Sequence, residues 1–207
     1  MSTFDVLADG DFESEPMEEA LDARGLVLRD SIDEGDLYLA EAAKHDVTAF
    51  GELYERYYAR VYRYVYHRTP SASDAEDITA VVFVKALEAL PGYRPGRNGF
   101  APWLFRIARN AVVDYYRRRR KQSPLDALEH HSGDDDPVGQ ILDDEQRTEL
   151  RALIEGLSAD QRDVVLMRFA ADLSYAEIAS AMNKNEPAIR MLLHRGLRKL
   201  KAVMDDE

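Results

Sequence analysis

From Phe50 onward, apolar and aromatic residues recur at Leu53, Tyr54, Tyr57, Val61, Tyr64 and Val65, a 3, 1, 3, 4, 3, 1 spacing that lays one stripe along a helix. Asp46 precedes the stripe as an N-cap, and Thr69-Pro70 ends it. A second periodic run holds Ile78, Val82, Phe83, Ala86, Leu87 and Leu90, and closes at Pro91-Gly92. Its opening, Ser73-Asp74-Ala75-Glu76, reads as a capping box in which Ser73 and Glu76 satisfy each other's free backbone donors. A Gly/Pro/Arg-rich loop, residues 92–99, leads to a third helix with Pro102 in its first turn and Arg117 to Lys121 at its end, where cations suit the helix dipole. A shorter helix around Leu37 to Lys44 precedes all three.

The pattern lapses over residues 121–136, where Ser123-Pro124, His130-His131, Ser132-Gly133 and Asp134-Asp135-Asp136 leave too little apolar surface to fold alone. Periodicity resumes near Asp136-Pro137, in a helix carrying Ile141, Leu142, Leu150, Leu153, Ile154 and Leu157. Two further capping boxes follow, Ser158 with Gln161 and Ser174 with Glu177. No strand-like alternation competes, so the expected fold is all-α. Two small helical domains are joined by a flexible acidic linker: an acidic extension at 1–36, a first domain at 37–120, the linker at 121–136 and a second domain at 137–207.

Charge sharpens that division. The chain of 207 residues carries a net −12, a poor omen for nucleic-acid binding until it is divided along the sequence, because local charge governs a local contact. Residues 1–36 hold two basic and twelve acidic side chains, whereas residues 37–120 hold fourteen and nine. The linker region is acidic again and the last sixty residues are balanced. The middle is therefore basic. Cysteine is absent, which excludes disulfides, thiolate metal sites and a catalytic thiol, and fits a reducing cytoplasm. Residues 1–11 lack a basic patch followed by an apolar stretch, so neither a signal peptide nor a membrane span is expected.

Two segments carry candidate chemistry. Near the C-terminus a short helix, Tyr175 to Met182, meets a tight connection, Asn183-Lys184-Asn185, and then an amphipathic helix from Glu186 to about Val203, which is the grammar of a helix-turn-helix. Asn183 suits a left-handed turn position and Asn185 suits an N-cap. Ile189, Leu192, Leu193, Leu197 and Leu200 form the buried stripe, leaving Arg190, Met191, His194, Arg195, Arg198 and Lys199 on other faces. Such a face serves a recognition helix or a solvated bundle equally well. In the first domain, Phe100 to Arg120 interleaves aromatics with arginines, the combination that holds single-stranded DNA by stacking and phosphate neutralisation. Phe105 and Ile107 are assigned to the core; Trp103, Arg106, Arg109 and Asn110 are assigned to an exposed role.

The order and spacing of these motifs resemble the extracytoplasmic-function (ECF) sigma factors of the sigma-70 superfamily of bacterial RNA polymerase. Asp74 to Ala86 resembles region 2.2, Phe100 to Arg120 resembles regions 2.3 and 2.4, and Leu173 to Leu200 resembles region 4.2. The resemblance implies a sigma2 domain, a linker and a sigma4 domain. It implies core-polymerase contacts at Asp74, Glu76, Asp77, Phe83 and Lys85, and −10 DNA contacts at Trp103, Arg106, Arg109, Asn110, Tyr115, Arg117 and Arg118. It implies −35 contacts at Arg190, Met191, His194, Arg195, Arg198 and Lys199. The implied partners are the β and β′ subunits of core polymerase, promoter DNA and, in some circumstances, an anti-sigma factor, with no cofactor, no metal and no catalytic residue. The alternative is a helix-turn-helix regulator that acts without joining polymerase.

Three departures from the family pattern stand out. Ala80-Val81 occupies the place of a usual Gln-Glu pair, Asn183 that of a glycine, and Glu186-Pro187-Ala188 that of a small, hydroxyl-bearing entry to the recognition helix. Residues 1–36 match nothing in the pattern and are expected to restrain DNA binding by the free protein. His130-His131 beside Asp134 to Asp136 is a conceivable metal site, but such ligands in a flexible stretch are poorly preorganised, and a solvated linker is the better reading.

Overall fold

The computed structural model describes residues 34–122 and 152–205, and among these every regular element is helical. The first module contains α1 (Glu34–Ala42), α2 (Val47–Tyr66), α3 (Ala72–Ala89), a 3-10 turn at Leu90–Gly92 and α4 (Ala101–Gln122). The second contains α5 (Ala159–Phe169), α6 (Tyr175–Met182) and α7 (Glu186–Asp205). Among the described residues no helix is long and apolar enough to cross a membrane.

Sequence periodicity translates into packing. The stripe on α2 buries Leu53, Tyr57, Val61, Tyr64 and Val65 against α1, α3 and α4. Tyr64 meets Phe105 of α4 edge-on at 5.8 Å between ring centroids, and Tyr57 meets Phe100 at 5.4 Å, geometries that favour aromatic quadrupoles beyond simple burial. In the second module Val164, Met167, Ile178, Ile189 and Leu193 close a small core between α5, α6 and α7. Gly196 lets α7 approach α5: a Cβ there would lie 3.2 Å from Val165 Cγ2.

Four local expectations need correction. The N-cap of α3 is Ser71, whose hydroxyl accepts the Asp74 N–H at 3.1 Å, so the helix starts a residue before Ser73, and both Ser73 and Glu76 are exposed within it. Leu87 is 42% exposed rather than core, and so is much of Tyr54 at 40%. The first helix begins at Glu34, which places Asp36 in the fold instead of in an acidic tail. Its carboxylate is buried and accepts hydrogen bonds from Arg56 and Tyr57. Finally, α4 continues through Gln122, two residues into the expected linker. Residues 1–33 lie outside the described residues, as do the rest of the linker with His130-His131 and the stripe positions Ile141, Leu142 and Leu150.

Candidate nucleic-acid interface

The turn between α6 and α7 is built as its sequence requires. Ser174 and Glu177 form a reciprocal capping box at the start of α6: Ser174 N–H donates to Glu177 Oε2 at 2.8 Å and Glu177 N–H to Ser174 Oγ at 3.2 Å. Burial raises the Glu177 pKa even though the Ser174 bonds favour its charged form. Asn183 ends α6 in the left-handed conformation (φ 53°, ψ 47°), which asparagine tolerates where most residues would be strained. Asn185 Oδ1 then accepts the Ala188 N–H at 2.9 Å and starts α7.

On α7, Ile189, Leu193 and Leu200 are buried, with Leu192 and Leu197 half-buried. All six residues assigned to the −35 element, Arg190, Met191, His194, Arg195, Arg198 and Lys199, are exposed. Lys199 is nevertheless engaged, its Nζ donating to the Gly156 carbonyl at 2.5 Å. Arg190 lies over the Tyr175 ring, its guanidinium carbon 4.1 Å from the centroid, and 3.8 Å from Glu186 one turn back.

A groove of ≈ 500 Å³ between α3 and α4 brings together Asp74, Asp77 and Lys85, assigned to polymerase, with Tyr115 and Arg118, assigned to −10 DNA. Glu76 is exposed beside it. Lys85 pairs with Asp114 at 3.4 Å and Arg117 with the same carboxylate at 2.9 Å, while Arg119 donates to the Tyr115 hydroxyl at 2.7 Å. Phe83 departs from its assigned role: it is 5% exposed, with its ring 4.7 Å from that of Tyr54. Exposed instead on α3 are Val81, Val84 and Leu87, an apolar strip spaced by three residues whose last member sequence reasoning had put in the core. Trp103 is half-buried in a cluster with Tyr93 (4.9 Å) and Phe100 (5.3 Å), so only part of its ring faces solvent. Arg106, Asn110, Arg117 and Arg118 are exposed.

Arg109 is placed elsewhere. The two modules dock on one another, α6 against α4, and Arg109 crosses that seam. Its Nε donates to Asp163 Oδ2 at 2.7 Å and its Nη2 to Asp160 Oδ1 at 3.2 Å. Asp163 is 1% exposed and also accepts from the Tyr64 hydroxyl at 2.8 Å and from Arg68. A buried carboxylate survives such desolvation only with this many donors. Burial pulls the Arg109 pKa down, but the hydrogen bond and charge of Asp163 outweigh it and leave the guanidinium above its usual value. Burial, reinforced by Asp163, pushes the Tyr64 hydroxyl well up. Arg60 donates to the carbonyls of Ala171 (2.7 Å) and Asp172 (2.8 Å), and Arg63 to that of Ala170 (2.8 Å), capping the C-terminal end of α5 from the other module. Sequence reasoning missed Arg60, Arg63, Arg68 and Asp163 because their partners lie about a hundred positions away. No group of three potential metal ligands occurs among the described residues.

Comparison with known proteins places these features in a family. Residues 53–122 match the model for Sigma-70 region 2 and residues 147–200 that for Sigma-70, region 4. The ECF RNA polymerase sigma factor BldN of Streptomyces coelicolor is 33% identical over 81% of this chain and 64% of its own length, so the chain spans under two thirds of that relative. The ECF RNA polymerase sigma factor SigD of Mycobacterium tuberculosis is 32% identical over 80% of this chain and 82% of its own. A solved structure of CnrH in complex with the cytosolic domain of CnrY matches with a TM-score of 0.67 at 24% identity, covering 84% of this chain and 99% of that one, a likeness of fold.

Proposed function

The chain belongs to the ECF sigma factors of the sigma-70 family, and from that premise we propose that it directs core RNA polymerase to promoters, without catalytic chemistry of its own. The first module takes the role of sigma2, which melts and reads the −10 element; the second takes that of sigma4, which reads the −35 element. The observation that carries this reading is the exposed row on α7, held out by a complete helix-turn-helix whose apolar side packs through Ile189, Leu193 and Leu200. Arg190, Met191, His194 and Arg195 are the base-reading candidates, and Arg198 is the phosphate contact. Lys199 joins it only by leaving Gly156. The partners are the β and β′ subunits of core polymerase and promoter DNA in the cytoplasm, with an anti-sigma factor as a regulator.

The groove between α3 and α4 serves the polymerase contact through Asp74, Glu76 and Asp77, carboxylates at a helix N-terminus that can pair with basic partner groups. Val81, Val84 and Leu87 supply apolar area beside them, which compensates for the polar pair that Ala80-Val81 replaces. Phe83 supports this face from beneath. Asp77→Arg is expected to weaken binding to core polymerase at least tenfold while leaving thermal unfolding nearly unchanged; normal polymerase affinity in that variant contradicts the assignment. A helix-turn-helix regulator independent of polymerase is the competing reading, and nothing in the geometry favours it.

A further inference from the structure

The base-reading row on α7 contains one side chain whose direction is set by another helix. Arginine has a long, flexible stem, and a contact made by an unrestrained guanidinium must overcome the loss of its rotamer freedom. Arg190 is restrained before any DNA is present. Its guanidinium carbon sits 4.1 Å from the centroid of the Tyr175 ring, within cation–π range, and Glu186 stands 3.8 Å away on its own helix.

Tyr175 is in turn held firmly. It is the first residue of α6, fixed by the reciprocal capping box of Ser174 and Glu177 on either side of it. A second arginine, Arg168 at the end of α5, lies 4.8 Å from the same ring. Arg168 is 4% exposed and anchored by donation to the Leu173 carbonyl at 2.8 Å. A chain of contacts thus runs from a buried, hydrogen-bonded arginine through an aromatic ring to an exposed one.

We propose that Tyr175 is a positioning residue for promoter recognition, orienting Arg190 for a base edge without itself reading a base. This rests on the assignment of α7 as the −35 reader. The ring narrows the arc the guanidinium explores, and Glu186, 3.8 Å away, engages it until DNA competes for its donors. Preorganisation of this kind strengthens the contact that Arg190 makes and leaves its neighbours' contacts unaltered.

The test uses the full chain assembled with core polymerase and a DNA pool randomised over the upstream element, with bound sequences counted. Arg190→Ala is expected to flatten preference at one or two adjacent base pairs by roughly tenfold, the order of a bidentate base contact. Tyr175→Leu is expected to flatten those same positions by several fold and no others, Tyr175→Phe to match the natural protein, and the double variant Tyr175→Leu/Arg190→Ala to be no worse than Arg190→Ala. A uniform loss across all positions in Tyr175→Leu, with a lowered melting temperature, means a merely structural residue and overturns the inference. A uniform loss in Tyr175→Phe marks the hydroxyl as a backbone contact and overturns it too. Flattening by Arg190→Ala without any by Tyr175→Leu sinks the positioning role alone, whereas no flattening by Arg190→Ala sinks the reading of α7 with it.

Discussion

Arg109 on α4 and Asp163 on α5, fifty-four positions apart, join the two modules through a 2.7 Å hydrogen bond from Nε to Oδ2. The same guanidinium is a candidate ligand of −10 DNA, so α5 and DNA are alternative partners for it. Arg109 is half-buried, whereas Asp163 and Arg68, which share the site, are almost wholly buried.

That asymmetry predicts unequal mutational costs. Asp163→Ala strands the buried Arg68 and is expected to destabilise the docked form by about 3–5 kcal/mol, while Arg109→Ala leaves Arg68 and Tyr64 still bonded to Asp163 and costs well under half of that. Thermal unfolding, with fluorescence transfer between dyes on α4 and α7, reads both effects. An unchanged inter-dye distance and melting temperature in Asp163→Ala would show that the carboxylate does not hold the seam.

The start of α3 gives a sharper local contrast. Ser71→Ala removes the side chain that accepts the Asp74 N–H and is expected to cost about 1 kcal/mol, whereas Ser73→Ala, in the exposed first turn, changes stability by less than about 0.5 kcal/mol. Chemical denaturation of the two variants decides it; the reverse order would restore Ser73 as the cap.

Glu177 predicts a pH dependence. Burial raises its pKa above the ordinary 4.5, so the folded state holds that proton more tightly than the unfolded chain does. Its contribution is therefore fully present below 4.5 and is lost as pH rises through the raised value. Glu177→Gln keeps a side chain able to accept the Ser174 N–H and removes the cost of burying a charge. The variant is expected to equal or exceed the natural protein in stability at pH 7, with the difference shrinking toward pH 4. A loss of more than about 1 kcal/mol at pH 7 would mean that the charged carboxylate is the stabilising form.

Much of this was legible in the sequence because it is local. The stripe on α2, the two serine capping boxes of the second module and the left-handed Asn183 depend on residues within a turn or two of each other, and the structure has each of them. At α3 the pattern Ser73 to Glu76 fits a capping box, yet the chain enters the helix two residues earlier and Ser71 supplies the cap to the Asp74 N–H. Leu87 fits a helix period but falls where no other element among the described residues covers α3. Asp36 looked like one more charge in an acidic stretch until α2 supplied Arg56 and Tyr57. The pairing of Arg109 with Asp163 was not legible at all, since Arg109 alone reads as a DNA contact and only the docking of the modules brings Asp163 to it.

Promoter-dependent initiation is the measurement that bears most directly on the central claim. Purified core polymerase, supplied with the full chain and a fragmented genomic template, should produce RNAs with discrete 5′ ends, each preceded by a shared two-part sequence, and none of these without the chain. Arg190→Ala should lower output most where the upstream element is intact. DNA binding by the chain alone, with no start site that depends on its addition to core polymerase, would contradict the account.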